Sequence, residues 1–500
     1  MLMGQKKISS SPENSQSKVI LFIFAFAVFL LPIDWVSGIR VFGEFSIMSS
    51  FYVFLPLVMI VLPFVVLGNQ KKNMEKELWW FTGLMLFAFF ISCAFNISDI
   101  LSASLKERSG LHKVVTTFIT FYFGVALMFV TANLSRCPDF LKTSLFKPVS
   151  LSLLLVFFVC MIELAGWFSG TAQDIYLMLS KVFRSGYVES NVNDGRLRGV
   201  SGEPASMAVF LGFALIWAYG IINVSAYRKK GAIWGYLLFF GVLFFFVLSG
   251  ARTAYVMLSG MMLSLAIFPI LLRLSVPEQY RPFSFITFCL FCLAFTALFF
   301  LSQSNTIAEI VSKGDNVSNL SRYASNYTAF KLFAESPFVG HGPGQYAFAA
   351  RDAMPSWGWQ SWEIRDWFTN PMRTWPPVFS LPGRLASELG IIGVFAWYIP
   401  LLELFRRLLF TIKKEFIRLE RRTPALGATL FLGMVYVLLQ GVAQESYRFF
   451  ELWITLGFVS AYTQQKDPET VYLEKIAPSK TVRHLLKTPS YEENSLLSKR

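Results

Sequence analysis

Apolar runs long enough to cross a bilayer recur along this chain, and no other feature constrains its fold as strongly. They lie at 19–36, 46–67, 78–95, 112–132, 149–170, 204–223, 232–250, 253–272, 283–302, 385–405, 425–442 and 449–463. In hydrocarbon every backbone polar group needs an internal partner, which a helix of about 20 residues supplies across the whole core. The runs predict an all-α polytopic membrane protein with about 12 transmembrane helices. The first run is long for a signal-peptide core, and Ser37-Gly38-Ile39-Arg40 is not a small-residue cleavage site, so an uncleaved span is expected.

Basic residues sort the loops. With the N-terminus in the cytoplasm, the inner loops hold Lys71, Lys72 and Lys76; Arg136, Lys142 and Lys147; Arg228, Lys229 and Lys230; and Arg273 and Arg281. The last inner loop adds seven more between Arg406 and Arg422. The first outer loop has only Arg40, and the second only Lys106 and Arg108. This alternation sets both termini on the cytoplasmic side of the membrane. A net charge of +14 would point to nucleic acid in a soluble protein. With 54% hydrophobic residues and a mean hydropathy of +0.51, topology explains the charge instead, and no nucleic-acid partner is expected.

The expected organisation follows: a cytoplasmic tail at 1–18, transmembrane helices 1–9 over 19–302 with a basic outer loop at 171–202, a large outer loop at 303–383, helices 10–12 over 384–463, and a cytoplasmic tail at 464–500. The large outer loop thus falls between helices 9 and 10. It carries Arg322, Arg351, Arg365 and Arg373, and five of the chain's thirteen Trp. A loop so long is functional or disordered, and disordered segments are poor in aromatics. It is expected to be the active-site cap of a membrane enzyme. It contains no Cys, so no disulfide framework holds it, and Cys289 and Cys292 lie in an apolar run as small core residues rather than a metal site.

Several residues could carry chemistry. The third outer loop holds Lys181, Arg184, Arg196 and Arg198 on the side that topology should keep poor in cations. They either bind an anion or pair with Asp174, Glu189 and Asp194 in the same loop. Arg252 follows a tight Ser249-Gly250 turn and heads a helix whose free N–H groups also favour anions; the alternative is snorkelling to lipid phosphate. Pro204 suits a first helical position, so Glu203 either caps that helix or accepts a proton from a sugar hydroxyl. Gly340-His341-Gly342-Pro343-Gly344 reads as a tight turn, with no strand before it and no helix after it, and is weak as a nucleotide cradle. Trp357, Trp362 and their neighbours suit a sugar face or the lipid interface, or simply pack the loop. Glu163, inside the fifth run, needs a cavity or a partner.

Three stretches resemble the O-antigen polymerase and O-antigen ligase family of bacterial envelope glycosyltransferases. They are Ser249-Gly250-Ala251-Arg252-Thr253, the segment from Ser321-Arg322-Tyr323 through Pro337-Phe338-Val339-Gly340-His341-Gly342-Pro343-Gly344, and Ala386-Ser387-Glu388-Leu389-Gly390-Ile391-Ile392-Gly393. The layout of spans with one large late outer loop is similar as well. Arg184, followed by Gly195, resembles a loose Arg-and-Gly spacing of the family's polymerases, with no second copy in the long loop. Ligases of the family carry a His-Asn pair about nine residues before Glu-Leu-Gly, where Phe379-Ser380 stands here.

The resemblance implies an enzyme that polymerises undecaprenyl-pyrophosphate-linked oligosaccharide repeat units at the periplasmic face, without metal or other cofactor. The ligase reaction, which transfers glycan to lipid A-core, is the related alternative. A secondary transporter is the alternative of another class, disfavoured by the late outer loop and the lack of a repeat between the halves. Catalytic roles then fall to Glu203, Arg252, Arg322 and Glu388. Substrate-binding roles fall to Arg184, Arg196, Arg198, His341, Trp357, Trp362 and Arg373. Membrane lipid, a chain-length regulator and a flippase are the other candidate partners.

Overall fold

The computed structural model describes residues 12–34, 36–67, 76–137, 140–183, 196–225, 229–273, 317–370, 375–419 and 424–465. Helices dominate. Six are long and apolar enough to cross a membrane: Lys76–Phe95, Gly110–Leu134, Leu141–Gly166, Pro204–Asn223, Leu381–Arg418 and Ala425–Val442. Four shorter apolar helices join them, at Lys18–Phe29, Phe51–Val66, Ala232–Leu248 and Thr253–Phe268. The chain is therefore an all-α membrane protein. The run at 283–302 and both tails, 1–11 and 466–500, lie outside the described residues.

In chain order the first helices are α1 (Pro12–Phe29), α2 (Phe51–Leu67), α3 (Lys76–Phe95), the short α4 (Ile97–Ser102) and α5 (Gly110–Leu134). α1 stops at Phe29, short of the apolar run's end at 36, because Pro32 lacks an N–H and disfavours helix before it. A 3₁₀ turn at Arg40–Ile47 returns the chain to α2, and its Phe45 stacks on Phe51 and Phe450 at 4.9 and 5.2 Å. A hairpin pairs β1 (Ser104–Leu105) with β2 (Arg108–Ser109) across Lys106 and Glu107, both at positive φ.

After α6 (Lys147–Gly166), α7 (Gly170–Phe183) occupies what the sequence suggests is an irregular loop. It buries Tyr176 and exposes Ile175, Met178 and Val182, the pattern of a helix lying in an interface. Next come α8 (Pro204–Ser225), α9 (Lys229–Leu248) and α10 (Arg252–Arg273), so Pro204 and Arg252 do open helices.

The segment after 316 is folded rather than extended. It forms α11 (Val317–Glu335), α12 (Tyr346–Ala353), a 3₁₀ turn at Gly358–Gln360 and α13 (Trp362–Thr369). Leu332, Tyr346, Ala350, Ile364 and Phe368 give it an apolar core of its own, against which Trp357, Trp359, Trp367 and Trp375 pack. The glycine turn leads into α12, contrary to the expectation that it opens no helix.

α14 (Leu381–Arg418) is much longer than its apolar run at 385–405. Pairs at helical spacing, Glu403–Arg406 at 2.6 Å, Glu403–Arg407 at 3.2 Å and Glu415–Arg418 at 2.6 Å, carry it on through residues that looked like a basic loop. α15 (Ala425–Ala443) and α16 (Phe450–Gln464) close the bundle. α16 is buried from Phe450 to Tyr462 and lies against α5 so closely that a Cβ on Gly124 would fall 2.2 Å from Trp453.

Charges collect at two ends. Glu77 meets Arg407 at one, beside the Glu403 pairs. Glu44, Lys113, Arg384 and Glu445 gather at the other, under the 317–380 segment. α3 reaches both, with Glu77 at its start and Ser92 bonded to the Glu388 carbonyl near its finish. The second end is called the cap end below.

Candidate active site at the cap end

The site is founded on a broken helix. Gly390 sits inside α14 with φ 65° and ψ −163°, which interrupts the helical hydrogen-bond ladder. The glycine turn supplies the missing partners. His341 N–H donates to the Ser387 carbonyl (3.0 Å), Gly342 N–H to the Glu388 carbonyl (2.9 Å), and Ile391 N–H to the Pro337 carbonyl (2.8 Å). Ser92 Oγ donates to both Val339 and Glu388 carbonyls at 2.6 and 2.9 Å, which ties α3 into the joint. Irregular backbone at membrane depth persists only where protein satisfies it, and this joint does so.

Side chains from five parts of the chain meet beside the joint. Arg384, one turn into α14, donates through Nε to Glu388 Oε2 (3.3 Å), and its Nη1 lies 3.7 Å from Glu44 Oε1. The same Nη1 donates to the Glu445 backbone carbonyl at 3.3 Å. Glu388 Oε2 also accepts the Gly344 N–H at 2.9 Å, so it pins the glycine turn and the arginine together. Lys113, only 5% exposed, holds its ammonium 4.6 Å from the Trp375 ring, and Arg108 approaches the same ring at 5.6 Å. Glu445 Oε2 accepts the N–H groups of Val378 and Phe379, the latter at 3.0 Å. Lys113, Trp375, Arg384, Glu388 and Glu445 line one cleft with Tyr346.

The electrostatics separate two of these carboxylates. Burial pushes Glu44 up, but Arg384 and Lys113 outweigh it and hold the group at about 2. Burial pushes Glu445 up to about 7, against the pull of Arg384 and the Val378 N–H. Among the described residues, no group of three or more His, Cys, Asp or Glu is arranged to hold a metal ion.

A second polar cluster lies at the same end. Buried Glu163 accepts the N–H of Arg198 (3.2 and 3.0 Å) and of Gly199 (2.7 Å), the partner that a carboxylate in an apolar run requires. Gly202 N–H donates to Asp34 Oδ1 at 2.5 Å. Together they pin the stretch 198–202 ahead of α8. Arg448 stands within electrostatic range of both Asp34 and Glu44 and links the two clusters.

The residues expected from sequence divide accordingly. Glu388 is in the cleft, and Arg322 lies 5.1 Å over the ring of Phe379, the residue after the cleft's Val378. His341 turns away, with Nε2 3.1 Å from the Leu332 carbonyl, so it ties the turn to α11. Trp357 packs on Tyr327 at 5.9 Å within the cap, whereas Trp362 is exposed. Glu203 immediately precedes α8, near Asp34 rather than in the cleft. Arg196 lays its stem against the Gly250 turn, and Arg198 enters the structure through its backbone. Arg252 opens α10, its side chain being outside the described part, and Arg184 and Arg373 lie outside the described residues. Sequence reasoning missed Glu44, Lys113, Trp375 as a cleft residue, Arg384 and Glu445. The available signal was charge at span ends: Lys113 just inside the run at 112–132, and Glu445 in the short link between the last two runs.

Residues 236–398 match the family model described as O-antigen ligase. No curated protein matches the chain. The matched segment runs from within α9 through the cap and past the Gly390 break to residue 398, and so includes Arg322, Arg384 and Glu388 but not Glu44, Lys113 or Glu445.

Proposed function

We propose that this chain, whose residues 236–398 match the family model described as O-antigen ligase, polymerises undecaprenyl-pyrophosphate-linked oligosaccharide repeat units. The reaction takes place at the cap end, which faces the periplasm of a bacterial inner membrane. One observation carries the choice of polymerase. Phe379-Ser380 stands where the family's ligases carry a His-Asn pair, and both residues have structural tasks: Phe379 N–H donates to Glu445, while Ser380 Oγ accepts Gly383 N–H at 3.3 Å to cap α14. Neither side chain can act as a base.

The chemistry needs three things, and the cap end offers each. Cations must offset the negative charge that grows on the departing diphosphate. Arg322 over Phe379 and Lys113 in the cleft are the described candidates, with Arg252 and Arg184 proposed from sequence. A flat apolar surface should carry a sugar ring, and Trp375 provides it. A carboxylate must take the proton of the attacking hydroxyl. The hydroxyl oxygen then bonds to the anomeric carbon as the bond to the diphosphate breaks, and undecaprenyl pyrophosphate leaves with that electron pair.

The description of the matching family model favours one second reading, transfer of finished glycan to lipid A-core. The lipopolysaccharide bands of a deletion strain separate the two. Single repeats on the core are the expected result, and bare core would make the chain a ligase.

A further inference from the structure

Two carboxylates, Glu388 and Glu445, line the cleft and a third, Glu44, stands behind Arg384; they are not equivalent. Glu388 is committed to Arg384 and the Gly344 N–H through one oxygen. Glu44 lies 3.7 Å from Arg384 and accepts the Ser446 hydroxyl. Glu445 differs from both, because no cation stands within ion-pair distance of its carboxylate among the described residues. Its Oε2 is held by two backbone N–H groups from the end of the cap, and its Oε1 makes no hydrogen bond among the described residues. The carboxylate is thus fixed in place on one side and open on the other, in the same cleft wall as Lys113 and Trp375.

We propose that Glu445 is the catalytic residue that accepts the proton of the attacking hydroxyl, with Glu388 and Arg384 as positioning residues. This rests on the glycosyl-transfer reading above. The acceptor O–H proton moves to Glu445 Oε1, the oxygen forms the new bond to the anomeric carbon, and the diphosphate leaves with the electrons of the broken bond. A base must be deprotonated yet still basic near neutral pH, which a carboxylate paired with a cation is not. Burial drives Glu445 in the required direction, up to about 7. Arg384 and Glu44 are the charged groups that bear on it, in opposite senses. The position also couples chemistry to the cap, since the N–H groups that orient the base belong to Val378 and Phe379, just before α14.

The test uses the full chain in proteoliposomes, supplied with a lipid-linked repeat unit, and reads release of undecaprenyl pyrophosphate. Glu445→Gln keeps an oxygen for the two N–H groups, so a merely structural role survives it. The expected result is a fall of about 10²-fold or more at saturating donor. Donor affinity should stay unchanged, thermal unfolding near neutral pH should be no lower than in wild type, and the rise in wild-type rate through neutral pH should vanish. A variant within about threefold of wild type overturns the assignment, because loss of a general base costs far more. Should Glu445→Gln fail to accumulate, Glu445→Asp decides by pH: a displaced midpoint of the rate profile supports the base, and an unchanged profile at full rate overturns it. Wild-type protein that releases no undecaprenyl pyrophosphate with either a repeat-unit or a lipid A-core acceptor overturns the glycosyl-transfer reading itself.

Discussion

Gly340 lies so flat against the Glu388–Leu389 peptide that a Cβ on it would fall 2.4 Å from the Glu388 carbonyl carbon. The relation is reciprocal, for a Cβ on Gly390 would fall 2.3 Å from the Phe338 carbonyl. The glycine turn and the break in α14 are therefore two halves of one joint. Each also holds a positive φ, 64° and 65°, that only glycine adopts without cost.

Gly340→Ala or Gly390→Ala should loosen that joint. The positive-φ backbone alone costs a residue with a Cβ about 1–3 kcal/mol, and overlap with backbone adds to it because no side chain can swing aside. Gly83→Ala is the control, since a Cβ there meets nothing within 4 Å. Thermal unfolding in detergent should show a lower midpoint and lost activity for both joint variants and neither change for the control. Joint variants as stable as the control would mean that the turn and the break are not in contact.

Glu163→Ala should free the stretch ahead of α8. The variant leaves the N–H groups of Arg198 and Gly199 without their acceptor inside the protein, at about 1–3 kcal/mol for each group that stays buried. Limited proteolysis from the cap side should then cut near 198–202 faster, while Glu163→Gln, which keeps an acceptor oxygen, should resemble wild type. Equal protection in the Ala variant would show that the stretch is held by other contacts.

The membrane helices were legible because length and hydropathy act locally, and a run of about 20 apolar residues has few alternatives. Local signals also marked Pro204 and Arg252 as helix starts and 340–344 as a turn. What they did not reveal is pairing. Nothing near Glu388 announces that its carbonyl meets Gly342, or that Gly390 breaks a helix in order to receive 337–342. Glu44, Lys113, Arg384 and Glu445 share the difficulty, since each is one charge at the edge of an apolar run. A charge there reads as a lipid-facing anchor until distant segments are brought together around it. Arg198 carries a second signal of this kind, since its guanidinium stands out in the sequence while its backbone N–H is what Glu163 holds.

Acid and base should act on stability through different carboxylates. Glu44 is held at about 2 in the folded chain against an ordinary 4.5, so its contribution is present above 4.5 and is lost as pH falls towards 2. Glu445 is raised from 4.5 to about 7, so the folded state retains a proton that the unfolded state loses. Its contribution is complete below 4.5 and is lost as pH rises to 7. Glu445→Gln should remove that decline between 4.5 and 7, and Glu44→Gln should be destabilised most at neutral pH, with the gap to wild type closing in acid. Unfolding midpoints across pH check both, and parallel curves for wild type and Glu445→Gln would mean that Glu445 does not titrate in this range.

Glu203→Gln and Glu388→Gln should fail differently, which makes them a joint test of where the proton goes. Glu203 immediately precedes α8 near Asp34, away from the cleft, and a carboxylate that only caps a helix is worth about 1 kcal/mol or less. Glu203→Gln should therefore polymerise nearly as wild type does. Glu388→Gln still offers one oxygen to Gly344 N–H and Arg384 Nε but removes the charge that neutralises a buried guanidinium. Its effect should be intermediate, with a weaker grip on donor and an unshifted pH profile. Glu388→Ala, which leaves both donors without an acceptor, should cost stability as well, about 3 kcal/mol or more by the usual penalty for breaking a buried ion pair. The measurements are polymer length and the pH–rate profile of each variant, at equal amounts of folded protein. Single-repeat product from Glu203→Gln would move the base to the head of α8. Loss of the neutral-pH rise in Glu388→Gln, with Glu445→Gln active, would move it one turn along α14 from Arg384.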